Sequence, residues 1–304
     1  MAAFPVQFGE IMTFLTYLIS GLALGSVYAI IALGYTMVYG IAKMLNFAHG
    51  DIIMAGGYAA FFAFTRFGVP SGLAIILSII LCTCLGVVIE RLAYKPLRQA
   101  SSLSVLITAI GVSYFLQNAA QLSFGSDTKI FPPMLTEGSF KFFDGRLTIS
   151  YLTLITICTC FVIMVGLTTF INKTKTGKAM RACAEDKGAA QLMGINVDTT
   201  ISITFAIGSG LAAIAAILLC STYPSLSPTL GSMPGIKAFT AAVFGGIGSI
   251  PGALLGGLLL GIIENLTKAY ISTQLSDAIV FTVLIIVLLI KPTGLLGKKE
   301  NVKV

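Results

Sequence analysis

The chain has 304 residues and a net charge of +7, yet charged residues make up only 10% of it, hydrophobic residues 56%, and the mean hydropathy is +0.95. Soluble domains carry roughly 25% charged residues, so the composition excludes a soluble protein and leaves a polytopic membrane protein. The basic excess is not a nucleic-acid signal, because Lys and Arg sit between hydrophobic blocks, where they set orientation.

The N-terminal stretch MAAFPVQFGE has no basic n-region, so the first span is expected to act as an uncleaved insertion signal. A bilayer core of about 30 Å needs about 20 helical residues. No charge falls between Glu10 and Lys43, which predicts a first span from Phe14 to Ala42 whose Gly21-x-x-x-Gly25 suits close helix packing. In the next block only Ile52 to Thr65 is free of charge, which is short for a crossing, and its entrance holds Asn46, His49, Gly50 and Asp51. Phe67 to Ile89 and Ser102 to Phe124 read as spans around the basic cluster Arg91, Lys95 and Arg98. The loop 125–146 balances Lys129, Lys141 and Arg146 against Asp127, Glu137 and Asp144, as an external loop would, and Leu147 to Ile171 returns inward.

The longest charged excursion is the run from Asn172 to Asp198. It predicts one short helix from Lys178 to Met193, capped by Thr174 or Thr176, braced by Arg181 and Glu185, and stopped by Gly194. Asp198 is expected to cap the next span, Thr199 to Thr222. The stretch 235–263 then reads as a hairpin dipping towards the cytoplasm, with its turn in the glycine-rich Gly245, Gly246 and Gly248, and Asp277 to Ile290 runs inward.

One orientation satisfies these signals together: N-terminus outside, C-terminus cytoplasmic, and basic segments 91–98, 173–187 and 291–303 inside. The predicted fold class is all-α, a polytopic inner-membrane helical bundle of about eight hydrophobic blocks, seven spans plus the hairpin. It forms a single transmembrane domain over 1–304, with 172–198 cytoplasmic and 125–146 external. Two short, Gly-interrupted segments, 46–65 and 235–263, occupy matching places behind long spans of opposite direction, the mark of an inverted repeat around a transport pathway.

Catalytic constellations are missing. The single histidine excludes an H-E-x-x-H site, there is no G-x-S-x-G elbow, and Thr176-Gly177-Lys178-Ala179 is no phosphate loop. The chain is therefore not expected to hydrolyse ATP or bind a metal. The two C-x-C pairs (Cys82 and Cys84, Cys158 and Cys160) point apart on a helix and read as small buried residues. Polar groups in a membrane are costly and usually functional, which makes Asn46, His49, Gly50, Asp51, Gly245, Gly246 and Gly248 pathway or gate candidates. Plain alternatives stand beside this: capping for Asn46 and Asp51, a structural hydrogen bond for His49, and snorkelling for Lys237 with Glu264 as counter-charge.

The stretches LGSVYAIIALGYTMVYGIAKMLNFAHGDIIMAGGY, RACAEDKGAAQLMGINVD, KAFTAAVFGGIGSIPGALLGGLLLGIIE and KPTGLLG strongly resemble the branched-chain amino acid ABC importer permeases of the H-type, in the same order and over nearly the whole chain. The resemblance implies an M-type permease partner, two cytoplasmic ATPase subunits carrying ATP and Mg, and an extracytoplasmic binding protein docking on 126–146 and 223–234. It implies no cofactor on this chain and no nucleic acid. It also implies that Arg181 to Gly194 docks on the ATPase. Ala182, Cys183, Ala184, Ala189 and Ala190 would allow close approach, Met180, Leu192 and Met193 would anchor, and Glu185 and Asp186 lie within the motif. A helix resting on lipid headgroups is the alternative. Related permeases carry urea, short amides or other amino acids, and a passive channel is the reading from another class.

Overall fold

The computed structural model describes residues 3–136, 138–142 and 147–297, with side chains from residue 10 onward. Glu137, Asp144 and Arg146 of the balanced loop, and the basic run from 298 to 303, lie outside the described residues.

The described chain is helical apart from two small ladders. Its helices are α1 (Ala3–Ala42), α2 (His49–Thr65), α3 (Ser71–Ile89), α4 (Ser102–Phe124), α5 (Tyr151–Lys173), α6 (Lys175–Glu185), α7 (Lys187–Leu192), α8 (Val197–Thr222), α9 (Ser232–Gly245), α10 (Ile250–Tyr270) and α11 (Ser276–Ile290). Strand β1 (Lys129–Ile130) pairs with β4 (Ser225–Leu226), and β2 (Ser139–Phe142) with β3 (Leu147–Ser150), both antiparallel.

Among the described residues six helices, α1, α3, α4, α5, α8 and α10, are long and apolar enough to cross a bilayer, and α11 is a shorter apolar helix of 15 residues. The expected hairpin at 235–263 is present as a shape, but its arms differ from expectation. The first, α9, has 14 residues, whereas the second, α10, has 21 and is long enough to cross by itself. The expected span at Leu147 begins four residues later, because β3 occupies Leu147–Ser150 and the Ser150 hydroxyl caps α5. Asn196, not Asp198, caps α8, accepting from the Thr199 amide at 3.0 Å.

Helix α1 ends where Lys43 takes φ +57°, a left-handed conformation that stops a helix. The chain then turns back as an irregular segment, 43–48, before α2 starts. Helices α1 and α8 form the buried centre. Helix α1 packs on α10, α8, α9 and α5, and α8 packs on α3 and α2 as well as α1. Glycine makes these contacts possible. A Cβ at Gly257 would fall on the backbone of Ala29, and one at Gly261 on that of Gly25, so the Gly21-x-x-x-Gly25 face does meet a partner. With lipid as apolar as leucine, such backbone-to-backbone approach, rather than hydrophobic burial, holds membrane helices together.

Of the C-x-C pairs, Cys82 and Cys160 are buried while Cys84 and Cys158 are exposed, as helical spacing requires, so only one member of each is a buried small residue. The outer faces of α3 (Leu73, Ile76, Leu77, Ile80, Leu81) and α5 (Phe161, Val162, Val165) are exposed and apolar, fit for lipid.

Gly261→Ala places a methyl against the α1 backbone and is expected to destabilise the bundle by about 1–3 kcal/mol. Gly111→Ala, in open space, is expected to leave it unchanged. Thermal unfolding of the two variants in detergent checks this; equal midpoints would refute the α1–α10 contact.

Candidate functional site

Two helices start in the interior of the bundle. Segment 43–48 climbs from the end of α1 until His49 packs against Gly34, eight positions before α1 ends. Segment 223–231 descends from the β1–β4 ladder to the start of α9. The two starts meet. A Cβ on Gly231 would fall on the Gly50 carbonyl oxygen, and one on Gly50 would fall on that of Gly231. Gly235 lies against the Cα of Gly50. Only glycine lets two helix N-termini approach so closely.

Around this junction the sequence candidates acquire partners. Helix α2 begins at Ala48 with no side-chain cap, so neither Asn46 nor Asp51 caps it through its side chain. Asn46 is buried and its Oδ1 accepts from the Tyr94 hydroxyl at 2.8 Å. Asp51, 2% exposed, accepts from Gln117 Nε2 of α4 at 2.8 Å. The same Gln117 nitrogen lies 3.3 Å from both Ser113 and Ser232 Oγ, which ties α4 to the start of α9. The His49 ring stands edge-on to Tyr35 at 4.7 Å, and its Nε2 has no hydrogen-bond partner among the described residues. A cavity of about 10 Å³ opens beside it, lined by Tyr39, Asn46 and Phe239 among others. That is roughly room for one water. Gln117, Ser113, Ser232 and Tyr94 were missed from sequence; a glutamine inside an apolar span is the signal that points to them.

The glycines of the α9–α10 turn lie elsewhere. Gly246 and Gly248 have φ of +104° and +92°. The C-terminal stretch covers this turn, with Leu295 and Leu296 amides donating to the Phe244 and Gly245 carbonyls at 2.9 Å each. Gly245 and Gly246 are packed and Gly248 is exposed, and this turn lies apart from the Gly50–Gly231 junction.

Two charge clusters flank the junction. Towards the α6–α7 end, Glu90 is fully buried and accepts from Ser202 Oγ of α8 at 2.6 Å. Arg98 bridges Glu90 and Asp198, and Lys95 adds a 2.8 Å pair to Asp198. Towards the opposite end, Glu264 of α10 accepts from Tyr28 of α1 at 2.9 Å and pairs with Lys237 at 2.8 Å and Lys268 at 2.6 Å. Lys237 also reaches Asp277 of α11 at 2.6 Å. Glu264 is thus the expected counter-charge of Lys237, and a buried network replaces snorkelling. Each cluster holds two acids and two bases, so neither leaves a net charge in the bundle.

The polar run forms two helices rather than one. Thr174 caps α6, accepting from the Gly177 amide at 3.0 Å. Asp186 breaks the helix and caps α7, its Oδ1 accepting from the Gly188 and Ala189 amides at 2.8 and 3.0 Å. Arg181 donates to Asn172 rather than pairing with Glu185, and Gly194 closes α7 at φ +80°. Met180 and Cys183 are buried in the bundle, so neither is free to anchor a partner; Ala182 and Ala184 are half-buried. Arg181, Glu185, Asp186 and Gly194 are exposed, as are Leu192 and Met193 at 89% and 82%. Lys187 donates to the Ala42 carbonyl at 2.7 Å and so caps the end of α1. Burial first, and the positive Arg98 second, hold the Lys187 ammonium below its ordinary pKa.

The sequence matches the family described as "Branched-chain amino acid transport system / permease component" over residues 17–288. It is 48% identical to the high-affinity branched-chain amino acid transport system permease protein BraD of Pseudomonas aeruginosa, over 97% of this chain and 99% of that one. It is 45% identical to LivH of Escherichia coli K12, which carries the same description, with the same coverage. A probable branched-chain amino acid transport permease, LivH of Methanocaldococcus jannaschii, is 29% identical over 88% of each chain.

Glu264→Ala removes the acceptor shared by Tyr28, Lys237 and Lys268 and is expected to cost about 3–5 kcal/mol. Lys95→Met, which breaks a half-exposed pair, should cost less than about 1 kcal/mol. Comparing unfolding midpoints in detergent decides it; similar losses would mean the buried cluster does not stabilise the bundle.

Proposed function

Because the chain belongs to the branched-chain amino acid transport system permease family, we propose that it is the transmembrane permease subunit of an ATP-driven importer of leucine, isoleucine and valine. The observation that carries this reading is near full-length similarity to relatives named as high-affinity permeases for those solutes. The relatives are described as parts of transport systems, which supports partner subunits: a second permease, two cytoplasmic ATPases holding ATP and Mg, and an extracytoplasmic binding protein. This chain carries no nucleotide site of its own in that reading and sits in the bacterial inner membrane, crossing it several times.

Basic α6 and α7 are placed in the cytoplasm, since short translocated loops are poor in Lys and Arg. With the ladders then outside, α1 runs inward and α8 outward. Packing supports an inverted repeat of α1–α4 on α8–α11. The α1–α10 contact corresponds to α8–α3, α1–α9 to α8–α2, α2–α3 to α9–α10, and α2–α4 to α9–α11. One constant shift in numbering carries Tyr28 onto Ser202, Gly34 onto Gly208 and Glu90 onto Glu264. Gly34 touches Gly208, and each of the two glutamates is held by the hydroxyl of the first helix of the other half. Alternating access follows as one half rocking on the other about the glycine contacts.

The coupling surface is then the exposed side of α6–α7 from Arg181 to Gly194, with Leu192 and Met193 as its apolar contacts. Motion of α7 reaches α1 through the bond from Lys187 to the Ala42 carbonyl.

Reconstituted with its partners, the chain should support leucine uptake that requires ATP and binding protein; ATP-independent flux at the same rate would overturn the importer in favour of a channel. Leu192→Glu, at an exposed position, should leave insertion and unfolding unchanged while removing most of the binding-protein-stimulated ATP hydrolysis. Wild-type stimulation in that variant would remove α7 from the coupling surface.

A further inference from the structure

Helix α4 exposes apolar residues, Leu103, Ile110, Phe115 and Leu122 among them, and beside them a strip that carries side-chain amides. Its outward residues at alternating steps of three and four are Ser104, Ile107, Gly111, Tyr114, Asn118 and Gln121, all exposed. No neighbour approaches Gly111 within 4 Å, and Asn118 finds only the carbonyl of Tyr114 in its own helix, at 2.7 Å. An amide pair and a serine on a membrane-spanning face are poorly suited to hydrocarbon, which offers no hydrogen bonds. The exposed faces of α3 and α5 are mostly aliphatic and aromatic, with Cys84, Cys158 and Thr169 among them, and short of the last turn of α5 carry no side-chain amide.

Behind this face lies a buried acid without a cationic partner. Glu90 and Glu264 are buried and each is ion-paired. Asp51 is equally buried, yet among the described residues no Lys or Arg lies within ion-pair distance of it. Its link to α4 runs through Gln117, which is half-buried and adjacent in sequence to Asn118. A buried carboxylate is stable only when its charge is met. Gln117 and the helix N-termini beside Asp51 carry dipoles but no net charge, whereas a mobile cationic group arriving along α4 carries one.

We propose that the polar face of α4 lines the solute route, and that Asp51, reached through Gln117, receives the ammonium group of the transported α-amino acid. The inference rests on the importer reading and adds to it a recognition point inside the permease. The amides of Asn118 and Gln121 and the Tyr114 hydroxyl supply polar contacts along the route, and Gly111 leaves it open. A solute without an ammonium group has nothing to offer Asp51.

The test uses the assembled importer with its partner permease and ATPases. Asn118→Cys on α4 and Ile80→Cys on the aliphatic face of α3 are each reacted with a charged, water-soluble methanethiosulfonate, over the background of the unsubstituted complex. The thiol on α4 is expected to react at least roughly tenfold faster, because hydrocarbon excludes the charged reagent. L-leucine should slow that reaction several-fold, and 4-methylpentanoate, which lacks the ammonium group, should not. Asp51→Asn should abolish the protection without changing the unprotected rate. Should that variant fail to assemble, Gln117→Met breaks the same link and is read in the same way. Equal rates on α4 and α3 would overturn the lined route. Absence of leucine protection, protection by 4-methylpentanoate, or protection that survives loss of Asp51 or Gln117, would overturn the ammonium site. Binding-protein-stimulated ATP hydrolysis in the same preparations reads the importer separately, so the subsite can fail while the importer stands.

Discussion

The contact between Gly50 and Gly231 is the constraint on which the rest of this structure depends. Irregular backbone within a bilayer must have its polar groups satisfied by protein. Segments 43–48 and 227–231 are irregular and run into the interior, so other helices have to wall them in. Helix α8 packs on α2 and on α1, and α1 and α8 can pass so near because Gly34 and Gly208 leave the space for it. Where the two irregular segments end, the N-termini of α2 and α9 meet backbone to backbone. Two positive helix ends then lie side by side, an arrangement that favours negative charge nearby. Asp51, in the first turn of α2, supplies it.

The remaining buried charges are arranged so that none is left alone. Each cluster is neutral in sum, and each ties together helices that are distant in sequence: the end of α3 to the start of α8, and α9, α10 and α11 to α1. Buried ion pairs contribute little net stability but are costly to break from one side. Their effect here is to specify which helices pair, and to hold both ends of the bundle together in this conformation. A transporter that alternates between two openings has to loosen these ends in turn.

The α6–α7 loop is joined to that core more closely than a surface loop would be. Met180, Cys183 and Ala190 pack into the bundle, and Lys187 caps α1. The break at Asp186 turns α7 so that Leu192 and Met193 face outward while Lys187 reaches back to the end of the central helix. In the proposed coupling, a push on the exposed face would be delivered to α1, whose far half carries Tyr28 of the opposite charge cluster.

Much of this was legible in the sequence because it follows from local chemistry. Charge-free lengths located the long helices, Gly21 and Gly25 announced a close crossing, Thr174 and Gly194 bounded the polar run, and Glu264 was readable as the counter-charge of Lys237. The sequence alone could not decide partners. Asp198 and Asn196 are both adequate caps two residues apart, and Asp198 was diverted because Lys95 and Arg98 arrive from the turn that follows α3. Capping was the plain alternative for the pathway candidates Asn46 and Asp51, but Tyr94 and Gln117, far along the chain, claim their side chains. Met180 looked like a docking anchor, yet its helix face turns inward. Composition and periodicity determine which segments enter the membrane, since that depends on each segment's own transfer energy. Which polar group meets which inside it is decided only by the tertiary fold, because hydrogen bonds and ion pairs depend on distances that no single segment contains.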